Sequence, residues 1–284
     1  METKVASPSR EVIIGDNQPT VLIGERINPT GKEKLTEALK AGDMEIVRKE
    51  ALAQVQAGAD ILDVNVGAFG VDEVSLLPKA VKAVMETVDV PLCIDSSNHD
   101  AMEAALKVYE GKPLVNSVTC EEHSLKRILP LVKEHGAAVI GMVQDEDGIP
   151  KDAERRIRIA HKIVEKAEAA GISHEDLVID CMAFAVGAEP SSGVAVMEAI
   201  RRIKAELGVN MTMGGSNVSY GLPERRLINN AFVAMAIAAG VTCPIVDVAR
   251  VRSIVLAADL VLGRDRRGRR YIEAYRQRQK RDNK

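Results

Sequence analysis

Short apolar runs that stop abruptly on a carboxylate or an amide recur along this sequence. The segment around Met213 reads MGGSNVSYG and sets Asn217 among small residues, where a β-strand should end. A polar group directly after a buried run is costly to desolvate unless it has a partner. Such residues are Glu25, Asn28, Asp63, Asn65, Asp95, Asn98, Asn116, Asp180, Asn217 and Asp247. The pattern predicts one polar pocket built from several strand ends.

The residue types in this pocket favour a flat, nitrogen-rich heterocycle with several N–H donors. Asp63, Asp95 and Asp180 accept hydrogen bonds, while Asn116 and Asn217 both donate and accept. The set contains no histidine, which disfavours a metal held by His and a Ser-His-Asp triad. We therefore predict no metal site.

Strand and helix patterns alternate in a way that predicts how these residues are positioned. Strands are predicted at 21–27, 60–66, 91–96, 113–118, 137–143, 177–183, 210–216 and 243–248. Helices are predicted at 33–57, 73–87, 99–109, 122–135, 153–170, 193–207, 224–239 and 250–262. Eight such units favour an α/β fold, a single-domain (β/α)8 TIM barrel with its active site at the carboxyl ends of the strands. Asn98 precedes the helix at 99–109 and is interpreted as its N-cap.

The chain divides into three segments on this interpretation. Residues 1–20 form an N-terminal extension or hairpin, and a hairpin over 12–23 is expected to cap the N-terminal mouth of the barrel. Residues 21–262 form the barrel. Residues 263–284 form a basic C-terminal helix or tail, since the stretch from Arg264 to Lys284 contains ten Lys or Arg and only three acidic residues. A solvated or surface-packed helix is the simpler interpretation, and contact with an acidic partner is the alternative.

Composition narrows the function classes. Hydrophobic residues make up 46% of the 284 residues and charged residues 28%, enough for a large core and a solvated surface. No Trp, three Phe and four Tyr leave few platforms for stacking bases, so no nucleic-acid partner is expected. No apolar run approaches the roughly 20 residues of a membrane span, and the N-terminus lacks a signal-peptide core. We expect no membrane association and a cytoplasmic location. The four cysteines have no zinc spacing and are interpreted as buried thiols.

Seven motifs together carry a family resemblance. GERINPTG, DVNVG, DSSN, VNSVT, GIPKD, VIDC and GGSNVS occur in this order across residues 21 to 250. In these motifs the chain resembles the pterin-binding methyltransferase family. It is most similar to the stand-alone methyltetrahydrofolate:corrinoid protein methyltransferases, and more distantly to the folate domain of cobalamin-dependent methionine synthase.

The resemblance implies roles for individual residues. Asp95, Asn116 and Asp180 match the pterin-ring ligands, and Asn217 matches the catalytic Asn that approaches N5 of the folate. The implied substrate-binding set is Asp63, Asp95, Asn116, Asp180, Ser216, Asn217 and Arg225, with Asp63 as a further ligand or support. Tyr220 stands where a polar residue is expected, and Cys181 replaces a commoner Pro.

The implied reaction moves a methyl group between methyltetrahydrofolate and the cobalt of a corrinoid. Transfer requires positive character at N5, which the Asn217 amide can support by donating a hydrogen bond. No DxHxxG-like cobalamin segment is present, so the cobalamin is expected on a partner corrinoid protein. The resemblance also implies a homodimer.

Two other functions remain as alternatives. A dihydropteroate synthase-like enzyme is expected to carry a Lys-rich motif on strand 7 and Arg-x-His after strand 8, which this chain lacks. A non-catalytic pterin carrier would need the ring ligands but no donor at N5. The direction of transfer and the particular corrinoid protein stay open.

Overall fold

The computed structural model describes residues 1–282 and contains eight parallel strands wrapped into a barrel, preceded by a hairpin. The strands are β1 (Glu2–Ala6), β2 (Glu11–Gly15), β3 (Ile23–Ile27), β4 (Ile61–Val64), β5 (Leu92–Asp95), β6 (Leu114–Thr119), β7 (Ala138–Met142), β8 (Leu177–Asp180), β9 (Asn210–Thr212) and β10 (Ile245–Val246). The helices are α1 (Glu33–Lys40), α2 (Glu45–Ala57), α3 (Glu73–Met85), α4 (His99–Leu106), α5 (Glu122–Glu134), α6 (Ala153–Ala169), α7 (Ser192–Leu207), α8 (Arg225–Ala239), α9 (Val248–Val261) and α10 (Arg269–Asp282).

The order of the strands confirms the predicted (β/α)8 barrel. Strands β3 to β9 follow one another as parallel neighbours, and β10 pairs with β3. A parallel bridge between Gly214 and Ile245 joins the chain after β9 to β10. All eight carboxyl strand ends therefore open at one mouth, where the predicted polar residues lie.

Two sequence predictions of element bounds were wrong. The helix predicted over 33–57 is two helices, because Gly42 adopts a left-handed φ of +71° and the Asp43 carboxylate then accepts the Glu45 N–H at 2.9 Å. The hairpin predicted over 12–23 instead pairs β1 with β2, with Thr3 opposite Ile14. Residues 16–22 lead from the hairpin into the barrel.

The lower half of the barrel interior is apolar and is closed by the hairpin. Val5 and Ile14 are fully buried and belong to the same cluster as Ile61 and Leu114 inside the barrel. The buried Asn210 amide donates to Ile14 O at 3.0 Å. The hairpin thus covers the N-terminal mouth, which leaves the carboxyl end as the open mouth of the barrel.

The C-terminal helix α10 packs against α9 on the outside of the barrel. The Asp259 carboxylate of α9 is fully buried and accepts hydrogen bonds from Thr20 N at 3.0 Å and Thr20 Oγ1 at 2.6 Å. It also pairs with Arg264 at 3.8 Å and with Arg270 at 3.4 Å. A buried carboxylate therefore ties the start of the basic segment to the base of the barrel.

Throughout residues 1–282, no helix combines the length and the apolar character that crossing a bilayer would require.

Candidate functional site

Three of the predicted site residues form a hydrogen-bonded cluster on adjacent strands. Asp63 of β4, Asp95 of β5 and Asn116 of β6 lie at neighbouring strand ends, where Asp95 and Asn116 are register partners. Asn116 Nδ2 donates to Asp63 Oδ1 at 3.2 Å, and the Asp63 and Asp95 carboxyls affect each other's pKa. The Asn65 side chain lowers the pKa of Asp95, against the effect of burial. The cluster presents oxygen acceptors to the mouth.

Burial sets the charge of the two carboxyls. Desolvation raises the pKa of Asp95 to about 6, although hydrogen bonds from Asn65 and Asp63 oppose the shift. Desolvation, followed by the charge of Asp95, raises the pKa of Asp63 well above its usual range. Asp63 is only 3% exposed, whereas Asp95 is partly open to the mouth. Burial is thus the main cause of the raised pKa of both carboxyls.

Asp180 ends β8, two strands beyond Asn116 in the barrel. Its Oδ1 accepts the Met182 N–H at 2.6 Å, and Met182 takes a left-handed φ of +49° to reach it. Desolvation raises the pKa of Asp180 to about 6, against the lowering effects of this hydrogen bond and of the Arg156 charge. One carboxylate oxygen is thereby fixed, and Oδ2 is left as an acceptor.

Asn217 lies on a turn that follows β9, at the rim of the same mouth. It begins the short 3-10 turn Asn217–Ser219, and its side chain is exposed. Its amide lies against Gly214, where an added Cβ would come within 2.8 Å of Asn217 Nδ2. Ser216 Oγ donates to Glu25 Oε1 of β3 at 2.6 Å, and this bond anchors the turn to the barrel.

Arg225 also stabilises the turn that carries Asn217. Its Nη2 donates to Ser216 O at 2.8 Å and its Nε donates to Ser219 Oγ at 3.0 Å. The guanidinium carbon lies 5.9 Å from the centroid of the exposed Tyr220 ring. In this structure the Arg225 side chain therefore contacts the turn that carries Asn217.

The structure brings the predicted residues to one mouth but in separate groups. Among the described residues, no hydrogen bond joins the side chains of Asp180 or Asn217 to the Asp63 cluster. Glu25 interacts with two of these groups: it accepts a hydrogen bond from Ser216, and its charge raises the pKa of Asp63. Desolvation also raises the pKa of Glu25.

Other polar residues at the strand ends form hydrogen bonds or ion pairs with residues close to them in the sequence. Asn98 caps α4 as predicted, since its Oδ1 accepts from Asp100 N at 3.0 Å and Ala101 N at 3.2 Å. Asn28 Oδ1 accepts the Thr30 N–H at 3.0 Å within its own loop. Asp247 pairs with Arg250 at 3.1 Å. These residues shape loops around the mouth.

Arg156 is a residue at the site that sequence reasoning missed. It is fully buried on α6, donates from Nε and Nη2 to Pro150 O, and leaves Nη1 without a partner among the described residues. Its charge lowers the pKa of Asp180. A signal was present, because Arg156 shares the helical stripe of the buried Ala160 and Ile163.

The polar side chains at the mouth suit an organic ring better than a cation. Within the described part of the chain, no group of three or more His, Cys, Asp or Glu is arranged to hold a metal ion. All four cysteines are buried free thiols. Acceptors spaced around the mouth can instead bind several N–H groups of one planar ligand, with Asn217 as a donor at its edge.

Comparisons with known proteins agree with this description. The sequence profile of the family described as pterin binding enzyme matches residues 24–247. The chain is 31% identical to methylcorrinoid:tetrahydrofolate methyltransferase of Eubacterium limosum, with 90% of this chain and 96% of that protein covered. It is 30% identical to methionine synthase of Mycobacterium leprae, where the match covers 94% of this chain and 24% of that protein.

Solved structures with the same fold include dihydropteroate synthases. The enzyme from Yersinia pestis, in a structure with a pterine-sulfa conjugate, superposes with a TM-score of 0.72 at 17% identity and covers 93% of this chain and 100% of its own. The enzyme from Xanthomonas albilineans, in complex with 7,8-dihydropteroate, gives 0.67 at 22% identity and covers 91% and 98%. At these identities the likeness concerns the fold.

Proposed function

Because this chain belongs to the family of pterin-binding enzymes, we propose that it transfers a methyl group between N5 of methyltetrahydrofolate and the cobalt of a corrinoid protein. The observation that carries the proposal is the Asn217 turn at the mouth that also holds Asp95, Asn116 and Asp180. Similarity to a methylcorrinoid:tetrahydrofolate methyltransferase along 90% of the chain supports the same reaction.

The acceptors bind and orient the pterin ring. Asp95 and Asp180 are ionised above about pH 6 and accept N–H groups of the ring. Asn116 has its amide nitrogen committed to Asp63, which leaves its carbonyl oxygen as a third acceptor. A reduced pterin carries ring N–H groups and an exocyclic amine, so acceptors at three strand ends fix it in the plane of the mouth.

Asn217 acts on the reacting nitrogen. When the methyl group leaves N5 for cobalt, the N5–carbon bond breaks, its electron pair stays on nitrogen, and N5 must gain a proton overall. Asn217 cannot supply that proton at neutral pH, but its NH₂ can donate to N5, or its carbonyl can accept from protonated N5. A positioned donor of this kind contributes about 3 kcal/mol to a transition state. Ser216, Glu25 and Arg225 hold the turn in place.

The methyl acceptor or donor is cobalamin carried by a partner. The sequence has no cobalamin motif, and the corrinoid protein must reach the open mouth for in-line transfer. We further propose a homodimer in the cytoplasm, as the family resemblance implies. Either direction of transfer is compatible with the same residues, since the Asn217 amide can both donate and accept.

Two other functions fit the site less well. A dihydropteroate synthase is expected to place a Lys near the position where this chain has the Gly-Gly-Ser-Asn of residues 214–217. Likeness to those enzymes at 16–22% identity concerns the barrel. A pterin carrier would use the ring acceptors without needing a hydrogen-bonding group at N5.

The test combines binding and transfer. Calorimetry measures binding of methyltetrahydrofolate to the wild type, to Asn217→Ala and to Asn217→Asp. Each protein then receives free Co(I) cobalamin, and methyl-cobalt formation is followed by its absorption spectrum. We expect binding in all three proteins and a rate of transfer about a hundredfold lower in both variants.

The outcomes separate the functions. Tight binding by the wild type with no transfer to free cobalamin or to corrinoid proteins would favour the carrier. Condensation of a pterin pyrophosphate with 4-aminobenzoate would favour a dihydropteroate synthase. Absence of any folate binding would refute the pterin site itself.

A further inference from the structure

Arg156 is a fully buried cation whose contacts lie in two loops at the mouth of the barrel. It lies near the start of α6, and its Nε and Nη2 donate to Pro150 O at 2.9 and 2.7 Å. Pro150 belongs to the loop between β7 and α6. The guanidinium carbon lies 5.8 Å from the centroid of the Phe184 ring, in the loop between β8 and α7. One side chain therefore joins the loops that follow two adjacent strands.

Packing alone does not account for a cation at this position. A buried guanidinium loses its hydration, and the hydrogen bonds of Arg156 go to a neutral carbonyl oxygen. Its Nη1 has no hydrogen-bond partner among residues 1–282. An apolar side chain of similar length, such as Met, would fill the same volume without this desolvation cost. Met could not bind Pro150 O and the face of a ring at the same time, so these contacts are what Arg156 adds.

The loop between β8 and α7 also contacts the turn that carries Asn217. The ring contact with Arg156 is made at Phe184. Two residues further along this loop, Val186 N donates to Val218 O at 2.9 Å. Val218 directly follows Asn217 in the 3-10 turn after β9. A series of contacts thus leads from Arg156 to the backbone beside Asn217.

The backbone between these contacts is held in place at Phe184. The Ser192 hydroxyl, which is fully buried at the start of α7, accepts from Phe184 N at 3.0 Å and donates to Phe184 O at 3.3 Å. The loop is therefore fixed at its backbone by Ser192 and at its ring by Arg156. A displacement of the Phe184 ring is expected to move the neighbouring residues, including Val186.

We propose that Arg156 is a positioning residue for methyl transfer, which fixes the loop between β8 and α7 and, through that loop, the turn that carries Asn217. The inference rests on the proposed function and adds to it a residue outside the substrate-binding set. Glu25 and Arg225 also hold this turn, so loss of Arg156 should loosen the turn without releasing it. Transfer should slow, while binding of the pterin ring should change little.

Transfer and binding are measured separately. Arg156→Met keeps most of the side-chain volume and removes the contacts with Pro150 O and the Phe184 ring. At saturating methyltetrahydrofolate, methyl-cobalt formation from free Co(I) cobalamin should be about tenfold slower in Arg156→Met than in the wild type. Calorimetry should give an affinity for tetrahydropterin within about threefold of the wild type. Arg156→Lys keeps a cation beside the ring and one donor for Pro150 O, so its rate should lie between the other two.

Controls separate positioning from loss of stability. Arg158→Met makes the same substitution at an exposed position of α6 and should change neither rate nor affinity. Asp259→Ala removes a buried carboxylate at the base of the barrel and should transfer at the wild-type rate while it is folded. Phe184→Leu removes the ring and keeps the proposal testable if Arg156→Met does not fold. The double variant should lose less than the product of the two single losses, because both changes break one contact.

Hydrogen exchange tests the contacts without any ligand. The Val186 amide should exchange about tenfold faster in Arg156→Met than in the wild type, and at the wild-type rate in Arg158→Met. A wild-type transfer rate in Arg156→Met, an equal fall in Asp259→Ala, or unchanged exchange at Val186 would overturn the proposal. Absence of transfer by the wild type would instead refute the proposed function, while exchange at Val186 would still report whether Arg156 holds the loop.

Discussion

Replacing Asp180 by Asn should make the protein more stable and should weaken its binding of pterins. Asp180 is 7% exposed, and burial raises its pKa to about 6 from the ordinary value of 3.8. A difference of about two in pKa corresponds to about 3 kcal/mol by which the folded state disfavours the ionised form. Asn is uncharged and can keep the hydrogen bond from Met182 N. Asp180→Asn should therefore raise the free energy of unfolding by up to about 3 kcal/mol at neutral pH.

The size of this effect depends on pH. Because the folded pKa lies above the unfolded one, protonation at low pH removes the cost of burying the carboxylate. The full cost is present above about pH 6, about half of it remains at about pH 5, and it disappears below the unfolded pKa. The advantage of Asp180→Asn over the wild type should shrink accordingly as the pH falls.

Urea unfolding of both proteins at about pH 7.5 and about pH 5 measures the effect. Asp147→Asn is the control, since the Asp147 side chain is 83% exposed and its substitution should change stability little at either pH. If Asp180→Asn is no more stable than the wild type at about pH 7.5, or if its advantage does not narrow at about pH 5, the reasoning from burial is wrong.

Further predictions concern binding and the base of the barrel. Below about pH 6 the affinity for a tetrahydropterin should fall with pH, because ring N–H groups require ionised acceptors. Asp95 and Asp180 should each contribute up to about a tenfold loss per pH unit. Calorimetry should show a weaker dependence of affinity on pH in Asp180→Asn, where only the Asp95 carboxylate titrates. Asp259→Ala should lower the free energy of unfolding by about 3 kcal/mol, since it leaves the buried Thr20 donors unpaired and removes the partner of Arg264 and Arg270. Urea unfolding measures this loss, and unchanged pterin affinity in the folded variant would confirm that Asp259 acts far from the mouth.

The sequence was sufficient to predict the barrel because parallel strands buried on both faces read as apolar runs. Each of the eight predicted strands overlaps an observed one, as at Leu92–Asp95 within the predicted 91–96. The strand ends were less predictable. The pattern over 210–216 continues through Gly214 and Gly215, but β9 ends at Thr212, and it is followed by a single bridge at Gly214 and the 3-10 turn Asn217–Ser219.

Contacts between distant residues were beyond sequence reasoning. The Ser216–Glu25 bond joins residues 191 positions apart, and the Asp63–Asn116 bond joins residues 53 apart. Strand order follows from the fold, but which side chains meet at the mouth depends on register. Arg156 drew no prediction from the sequence, because a charged residue on the buried stripe of α6 resembles a solvated one in the sequence pattern.

Two adjacent glycines allow a sharper test of Asn217 than its own removal. The backbones of Gly214 and Gly215 both lie outside the left-handed region, so Ala is compatible with either conformation. A Cβ at Gly214 would come within 2.8 Å of Asn217 Nδ2, so the Asn217 amide must move. A Cβ at Gly215 would meet Val246 Cγ1 at 2.7 Å and Val233 Cγ2 at 3.0 Å, inside the hydrophobic core.

The two Ala variants should therefore fail in different ways. Gly214→Ala should bind tetrahydropterin with nearly wild-type affinity and should transfer methyl groups about tenfold or more slowly, because the amide is displaced while the ring acceptors are untouched. Gly215→Ala should lower the free energy of unfolding by about 1 to 3 kcal/mol through overpacking. Equal transfer rates in Gly214→Ala and the wild type would mean that the position of the Asn217 amide does not matter. That result would remove the structural basis for placing Asn217 at N5, whatever the ring acceptors bind.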